Sequence, residues 1–243
     1  MLMRELIIPQ GEIHFRPAKG YNSPVDTPWT AWPFFQHMPP AVLSAAVQSL
    51  VHRRHPRGNT VFHEGDRPQG AFFLRSGLIK ICKQSPSHRP LAVELVHPGE
   101  AFGVVAVLDR RPFPATAVAL DASDVYEMPV AVFEDLLRGQ RAFAREVHAA
   151  VGEHVRRAQE MRSLSHEPVD RRIAHVLLRL MPRPRMETRV RREDVADLAG
   201  CIPETAIRIL ADFKRRGWIR TGWRRIGLVN PAALRSMSLD PSR

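Results

Sequence analysis

The sequence predicts an α+β chain in three parts: an N-terminal β jelly roll, one long helix and a C-terminal winged helix-turn-helix. Three observations predict it. Short β-type runs between glycine-centred turns fill residues 53–129. A continuous helical pattern with apolar residues at heptad spacing runs from Arg141 to Leu164. The stretch Val190–Leu210, VRREDVADLAGCIPETAIRIL, holds two short helical patterns that meet at Gly200, whose freedom to adopt positive φ suits the turn between them. The expected division is an extension over 1–35, the β-domain over 36–138, the long helix over 139–166 and the winged domain over 167–243.

Taken in order, residues 1–35 are rich in Pro, Gly and isolated aromatics without a sustained period, and read as a loosely ordered extension. Val42, Leu43, Ala46, Val47 and Leu50 give a helical face between Pro40 and His52. The β-type runs are Thr60–Phe62, Ala71–Leu74, Leu78–Cys82, Leu91–Val96, Ala115–Leu120 and Val125–Met128, separated by turns such as Ser76-Gly77, Pro86-Ser87 and Pro98-Gly99. The apolar AFGVVAVL at 101–108 reads as a short buried helix or a strand-to-helix passage. Pro129 opens a helix reaching Leu137. Along the long helix, Ala144, Val147, Val151, His154, Ala158 and Met161 form a narrow seam suited to a twin helix; an ordinary amphipathic helix lying on the β-domain is the alternative. Asp170–Leu180, DRRIAHVLLRL, is a further amphipathic helix, ended by Pro182-Arg183-Pro184. In the second helix of the pair, Ile207, Leu210 and Ala211 are expected to face inward, and Glu204, Thr205 and Arg208 to share another face. Trp218–Val229 reads as a hairpin around Gly222.

Charge sharpens this division. The chain carries a net +11, and residues 169–243 alone hold 17 Lys and Arg against 8 Asp and Glu. Nearly all the excess therefore sits beside the helix-turn-helix, as expected of a segment that neutralises phosphates. Two cysteines, Cys82 and Cys201, exclude a disulfide framework and a four-thiolate iron–sulfur cluster within one chain. No apolar run is long enough for a membrane span and no secretory segment is visible, so a cytoplasmic protein without a membrane partner is expected. A metal enzyme on a jelly roll is the competing class, but His63-Glu64 lacks a second histidine at strand spacing.

The pieces GNTVFHEGD, FFLRSGLIKI, HPGEAFG, PATAVAL and GCIPETAIRIL, in this order and with a long helix before the last, resemble the CRP/FNR superfamily of bacterial transcription regulators over about residues 34–234. The resemblance implies a cyclic-nucleotide-binding-like jelly roll, a long dimerisation helix and a homodimer on the double-stranded DNA of a palindromic operator. For an activator it also implies contact with RNA polymerase. Dimer contacts would come from Val147, Val151, His154, Ala158 and Met161.

Glu204 and Arg208 align with the superfamily's base-reading pair. Arginine can bond guanine O6 and N7, and a carboxylate can accept from cytosine N4. An i,i+4 surface ion pair is the bland alternative. Thr205 either bonds phosphate or caps locally, and Arg191, Arg192, Lys214, Arg215, Arg216, Arg220, Arg224 and Arg225 are candidates for phosphate contact, with a solvated charge as the alternative for each. Ile207 stands where the anaerobic-regulator branch commonly has Ser, and Arg191 where a Ser or Thr cap is common, so the operator is expected to differ.

The resemblance places an effector at Phe102, Gly103, Val104, Ala115 and Thr116. Cyclic-AMP-binding members carry a Glu after the Gly and an Arg-Ser pair about ten residues later. This chain has Val104 and Pro114-Ala115-Thr116, so cyclic AMP is not expected. A haem-based, gas-responsive member is the alternative, with His37, His63, His88 or His97 as axial ligand. His154 on the seam either meets its twin across the two-fold axis or tilts to solvent. Trp218 and Trp223 read as wing packing, Cys82 as core, and Cys201 as packing rather than a redox switch.

Overall fold

The computed structural model describes residues 29–84, 90–181 and 187–239. Most of the expected extension, the Pro86-Ser87 turn, His88 and Pro182-Arg183-Pro184 lie outside the described residues. Helix α1 (Pro40–Gln48) leads into β1 (Val51–His55), β2 (Thr60–Phe62), β3 (Gly70–Ser76), β4 (Ile79–Gln84), β5 (Pro90–Val96) and β6 (Ala101–Phe102). Helix α2 (Val104–Asp109), β7 (Thr116–Ala119), β8 (Ser123–Pro129), α3 (Val130–Gly139) and α4 (Arg141–Leu164) complete the first part. Then come α5 (Val169–Leu180), β9 (Glu187–Thr188), α6 (Arg192–Ala199), α7 (Pro203–Arg215), β10 (Ile219–Gly222), β11 (Arg225–Leu228) and α8 (Pro231–Leu239).

Two four-stranded antiparallel sheets, ordered β1-β8-β3-β6 and β2-β7-β4-β5, face each other as a jelly roll. Period-2 alternation in β7 and β8 sends Ala117, Ala119 and Val125 into the space between them, where they meet Phe62, Phe72, Leu74, Ile79 and Phe102. The helical face read through His52 ends at Gln48, and the chain becomes strand at Val51, one strand more than the sequence pattern gives. VHRRH has no apolar alternation because β1 is an edge strand whose side chains are mostly outside.

Trp29, Trp32, Phe34 and Phe35, read as part of the loose extension, are core residues. Trp29 meets Tyr126 edge-on at 4.7 Å between ring centroids, and Phe34 meets Phe143 of α4 at 6.0 Å. These aromatics anchor singly, without a period, which is why the pattern missed them. They join Phe133 of α3 and Val147 of α4 in one cluster that fixes the long helix on the first sheet.

The winged domain is not independent of the jelly roll. Leu78, Leu95 and Leu120 of the β-domain share one apolar cluster with Ile173 and Val176 of α5 and Leu198 of α6. Lys80 Nζ, 7% exposed as a residue, reaches Asp197 of α6 at 3.2 Å. Arg57 donates to the carbonyl oxygens of Leu120 and Arg189 and pairs with Asp194 of α6. The first helix of the helix-turn-helix is thus tied to the β-domain by apolar and ionic contacts together.

Candidate nucleic-acid interface and effector cavity

Helices α6 and α7 meet at Gly200, which has φ +60° and lets Cys201 N–H bond the Ala196 carbonyl at 3.0 Å. A Cβ at Gly200 would force the left-handed region on an ordinary residue. The N-terminus of α6 is capped without Ser or Thr: Asp194 accepts from Arg191 N–H at 2.6 Å. Arg191 therefore leaves its side chain exposed, as does Arg192.

Helix α7 buries Ala206, Leu210 and Phe213. Ile207 and Ala211, expected inward, are outward; Ile207 is 40% exposed. The apolar stripe sits one residue round from the position read, because Ala206 rather than Ile207 packs closely against the neighbouring helices. Glu204, Ile207 and Arg208 are exposed and Thr205 half-buried. Glu204 and Arg208 do not pair with each other or with another described residue within ion-pair distance. At the C-terminal end, Lys214 is exposed, and Asp212 holds both Arg215 and Arg216, the latter at 2.8 Å.

The wing has three strands, ordered β10-β11-β9; Glu187–Thr188 adds the outer one, too short to show as a pattern. Gly222 pairs with Arg225, leaving Trp223-Arg224 as the two-residue tip. Trp218 packs on Phe213 at 5.3 Å as expected. Trp223 does not pack: it is 83% exposed, with the Arg224 guanidinium 4.5 Å from its ring centre. No described element covers the hairpin tip. Arg191, Arg192, Arg224 and Arg225 line one cleft between the start of α6 and this tip.

The other site is a cavity of about 270 Å³ between the jelly roll and α4. Phe102, Gly103, Val104 and Ala115 line it, as expected of an effector site. Thr116 does not line it; its hydroxyl accepts from Glu64 N–H at 3.0 Å. Gly103 has φ +71°, and a Cβ there would stand 3.1 Å from both Phe72 and Phe113. The polar end was not legible in the sequence. Arg157 of α4 bonds Glu153 at 3.0 Å, Glu94 at 3.0 Å and Glu100 at 2.5 Å. His154 Nδ1 lies 2.7 Å from Glu94. Burial alone would raise the Glu94 carboxyl, but His154 and Arg157 hold it below its ordinary value; the Glu94 bond raises the His154 imidazole.

This network involves part of the expected dimer seam. Val147 is wholly buried in its own protomer's core, which takes it out of the seam; Val151 is half-buried against that core, and His154 bonds Glu94. Met161 is half-buried in a cleft with Leu95 and His175, and Ala158 alone of these five is exposed. The outward stripe lies one residue further on: His148, Gly152, Val155, Gln159 and Arg162, with Val155 48% exposed. That stripe keeps heptad spacing but is mostly polar, which hid it.

His37 and His63 are exposed, and neither they nor His97 line the cavity. His154 is its lining histidine, and carboxylates surround it, so the residues present do not fit haem, whose own propionates are anionic. They do not fit a cyclic phosphate either: Arg157 has all three nitrogens on carboxylates. Burial pushes the Cys201 and Cys82 thiols up, away from the reactive thiolate. No described helix is long and apolar enough to cross a membrane.

A family model for the cyclic nucleotide-binding domain matches residues 52–140, and one for the Crp-like helix-turn-helix domain matches 171–237. The cyclic AMP receptor protein of Thermus thermophilus is 27% identical over 194 residues, spanning 78% of this chain and 89% of that one. The CRP-like cAMP-activated global transcriptional regulator of Mycobacterium tuberculosis is 30% identical over 195 residues, spanning 76% and 87%. FixK2 from Bradyrhizobium japonicum shares the fold with a TM-score of 0.71 at 19% identity, over 79% of this chain and 99% of that one. Both domains, their order and their spacing agree with the exposed α7 and the cavity beneath α4, and the chain belongs to the CRP/FNR superfamily of DNA-binding transcription regulators.

Proposed function

We propose that the chain acts as a homodimer that lays one α7 per protomer in successive major grooves of a two-fold symmetric operator. Glu204 and Arg208 read base edges, with Ile207 between them against a thymine methyl. Thr205 and Lys214 flank this face on the phosphates, and Arg191, Arg192, Arg224 and Arg225 grip the backbone beside it. The observation that carries the reading is the pair of opposite charges one helical turn apart on an exposed face, neither tied to a partner among the described residues. A structural ion pair would have closed on itself. The outward stripe through Val155 is the surface offered to a second copy, since an exposed heptad row on a helix otherwise fixed to its own core suits a twin.

The cavity is the effector site. Its wall includes Val151, Glu153 and His154 of the same helix that carries the outward stripe, so occupancy bears directly on α4. The effector is not cyclic AMP, because Val104 and Ala115 offer the ribose and phosphate nothing and Arg157 is fully engaged.

Selection of an operator from random duplexes, followed by titration of Arg208→Ala, tests the reading. A loss of about 1–3 kcal/mol with relaxed preference at one position per half-site is expected. Unchanged affinity and unchanged preference would overturn it. Calorimetry with cyclic AMP tests the second part: no heat is expected, and micromolar binding would contradict it.

A further inference from the structure

We infer that the cavity selects a small, largely apolar or aromatic molecule carrying a hydrogen-bond donor, an amine in the strongest case, and rejects anions. This rests on the reading of the cavity as the effector site and names its ligand class. Two ends of the cavity carry the inference.

One end is aromatic. Phe62 and Phe113 stack at 3.8 Å between centroids, and Phe34 and Phe102 complete that wall. The space, about 270 Å³, is enough for a molecule of two or three rings.

The other end is acidic. Glu94, Glu100, Glu146 and Glu153 line it with Arg157 and His154, while Arg145 and Arg156, outside the lining, pair with Glu146 and Glu153 at 3.4 and 3.0 Å. Arg157 is spent: its Nε goes to Glu153, one terminal nitrogen to Glu94 and Glu100, and the other to Glu100, all within 3.2 Å. An entering anion would lose its water and meet carboxylates without a free cationic donor. An entering N–H group would meet acceptors, and a charged amine would gain charge-assisted bonds. The family's own ligand class is therefore reversed in sign at this site.

The test uses the full chain and two dyes of the same aromatic skeleton: N-phenylnaphthylamine, which is neutral with one N–H, and its sulfonated analogue anilinonaphthalene sulfonate. The neutral dye is expected to bind saturably, one per chain, and the sulfonate at least about tenfold more weakly, a difference of about 1.4 kcal/mol. Ala149→Trp is expected to abolish dye binding by filling the mouth; Ala149 is exposed on α4, so the variant should fold, and its circular dichroism is checked. Glu153→Gln, which removes one carboxylate and releases Arg157 Nε, is expected to narrow the gap between the dyes. Equal or tighter binding of the sulfonate overturns the inference, as does dye binding indifferent to Ala149→Trp. The titration is read without DNA. Coupling between cavity and operator is measured separately, as operator affinity with the neutral dye bound, and fails or stands on its own.

Discussion

Leu95→Ala is expected to destabilise the whole chain rather than one domain. Leu95 lies on β5, is 5% exposed, and belongs to the apolar cluster formed chiefly by α5, α6 and α7. The substitution removes three carbons, worth about 2.4 kcal/mol at ~0.8 kcal/mol per methylene. The site collapses poorly, because a void of about 30 Å³ already lies beside Leu95, walled by Met161, Val176 and Leu198. A cavity contribution raises the expected cost to about 3–4 kcal/mol, within the range of buried Leu→Ala changes. For a chain of this size that lowers Tm by roughly 6–16 °C. Differential scanning calorimetry measures it: the native chain is expected to unfold in one transition, which should broaden or split in the variant as the two domains uncouple. A shift below about 2 °C, with one sharp transition retained, would refute the claim that the jelly roll and the reading domain share a core.

Four other outcomes follow from the same structure. Val155→Glu places like charges at the centre of the outward stripe of α4, and sedimentation should show monomers whose operator affinity has collapsed; an intact dimer would place the interface elsewhere. Gly103→Ala forces φ +71° on a residue with a Cβ 3.1 Å from Phe72 and Phe113, and denaturant unfolding should show a loss of about 1–3 kcal/mol, where no loss would contradict the tight cassette. The tie between His154 and Glu94 should depend on pH. The imidazole is raised, so its contribution is complete below its ordinary value of 6.5 and fades as pH rises through the raised value; the Glu94 carboxyl is lowered, so its contribution fades only in acid, as pH falls through the lowered value. The Tm deficit of His154→Gln should therefore be widest between about pH 4.5 and 6.5 and shrink in alkali, and a deficit that grows with pH would contradict it. Operator affinity should fall steeply with salt, and Arg224→Ala should lower the slope by about one unit; an unchanged slope would remove that residue from the phosphates.

Much of this was legible in the sequence because several signals agreed. Gly200 between two apolar periods marked the helix-turn-helix, and the basic excess after residue 168 marked the same segment. The limits of α4 were legible to the residue, since its period runs uninterrupted from Arg141 to Leu164. Its face was not. Val147 and His154 keep the heptad rule as well as His148 and Val155 do, and only the position of the β-domain decides which row is covered. Glu94 and Glu100 gave no signal, because a buried carboxylate becomes recognisable only when a distant chain segment brings Arg157 to it. Trp29–Phe35 and Trp223 failed in opposite directions. Aromatic residues in an aperiodic stretch can anchor a core or stand in solvent, and period says nothing about which.

The most direct test of the central claim is guanine N7 methylation interference on the selected operator, with native protein and Arg208→Ala side by side. Arginine bound to O6 and N7 is blocked by a methyl at N7. The account predicts interference in two major-groove patches about one helical turn apart, with one guanine per half-site relieved in the variant. Interference that is absent from the major groove, or identical in the two proteins, would contradict it.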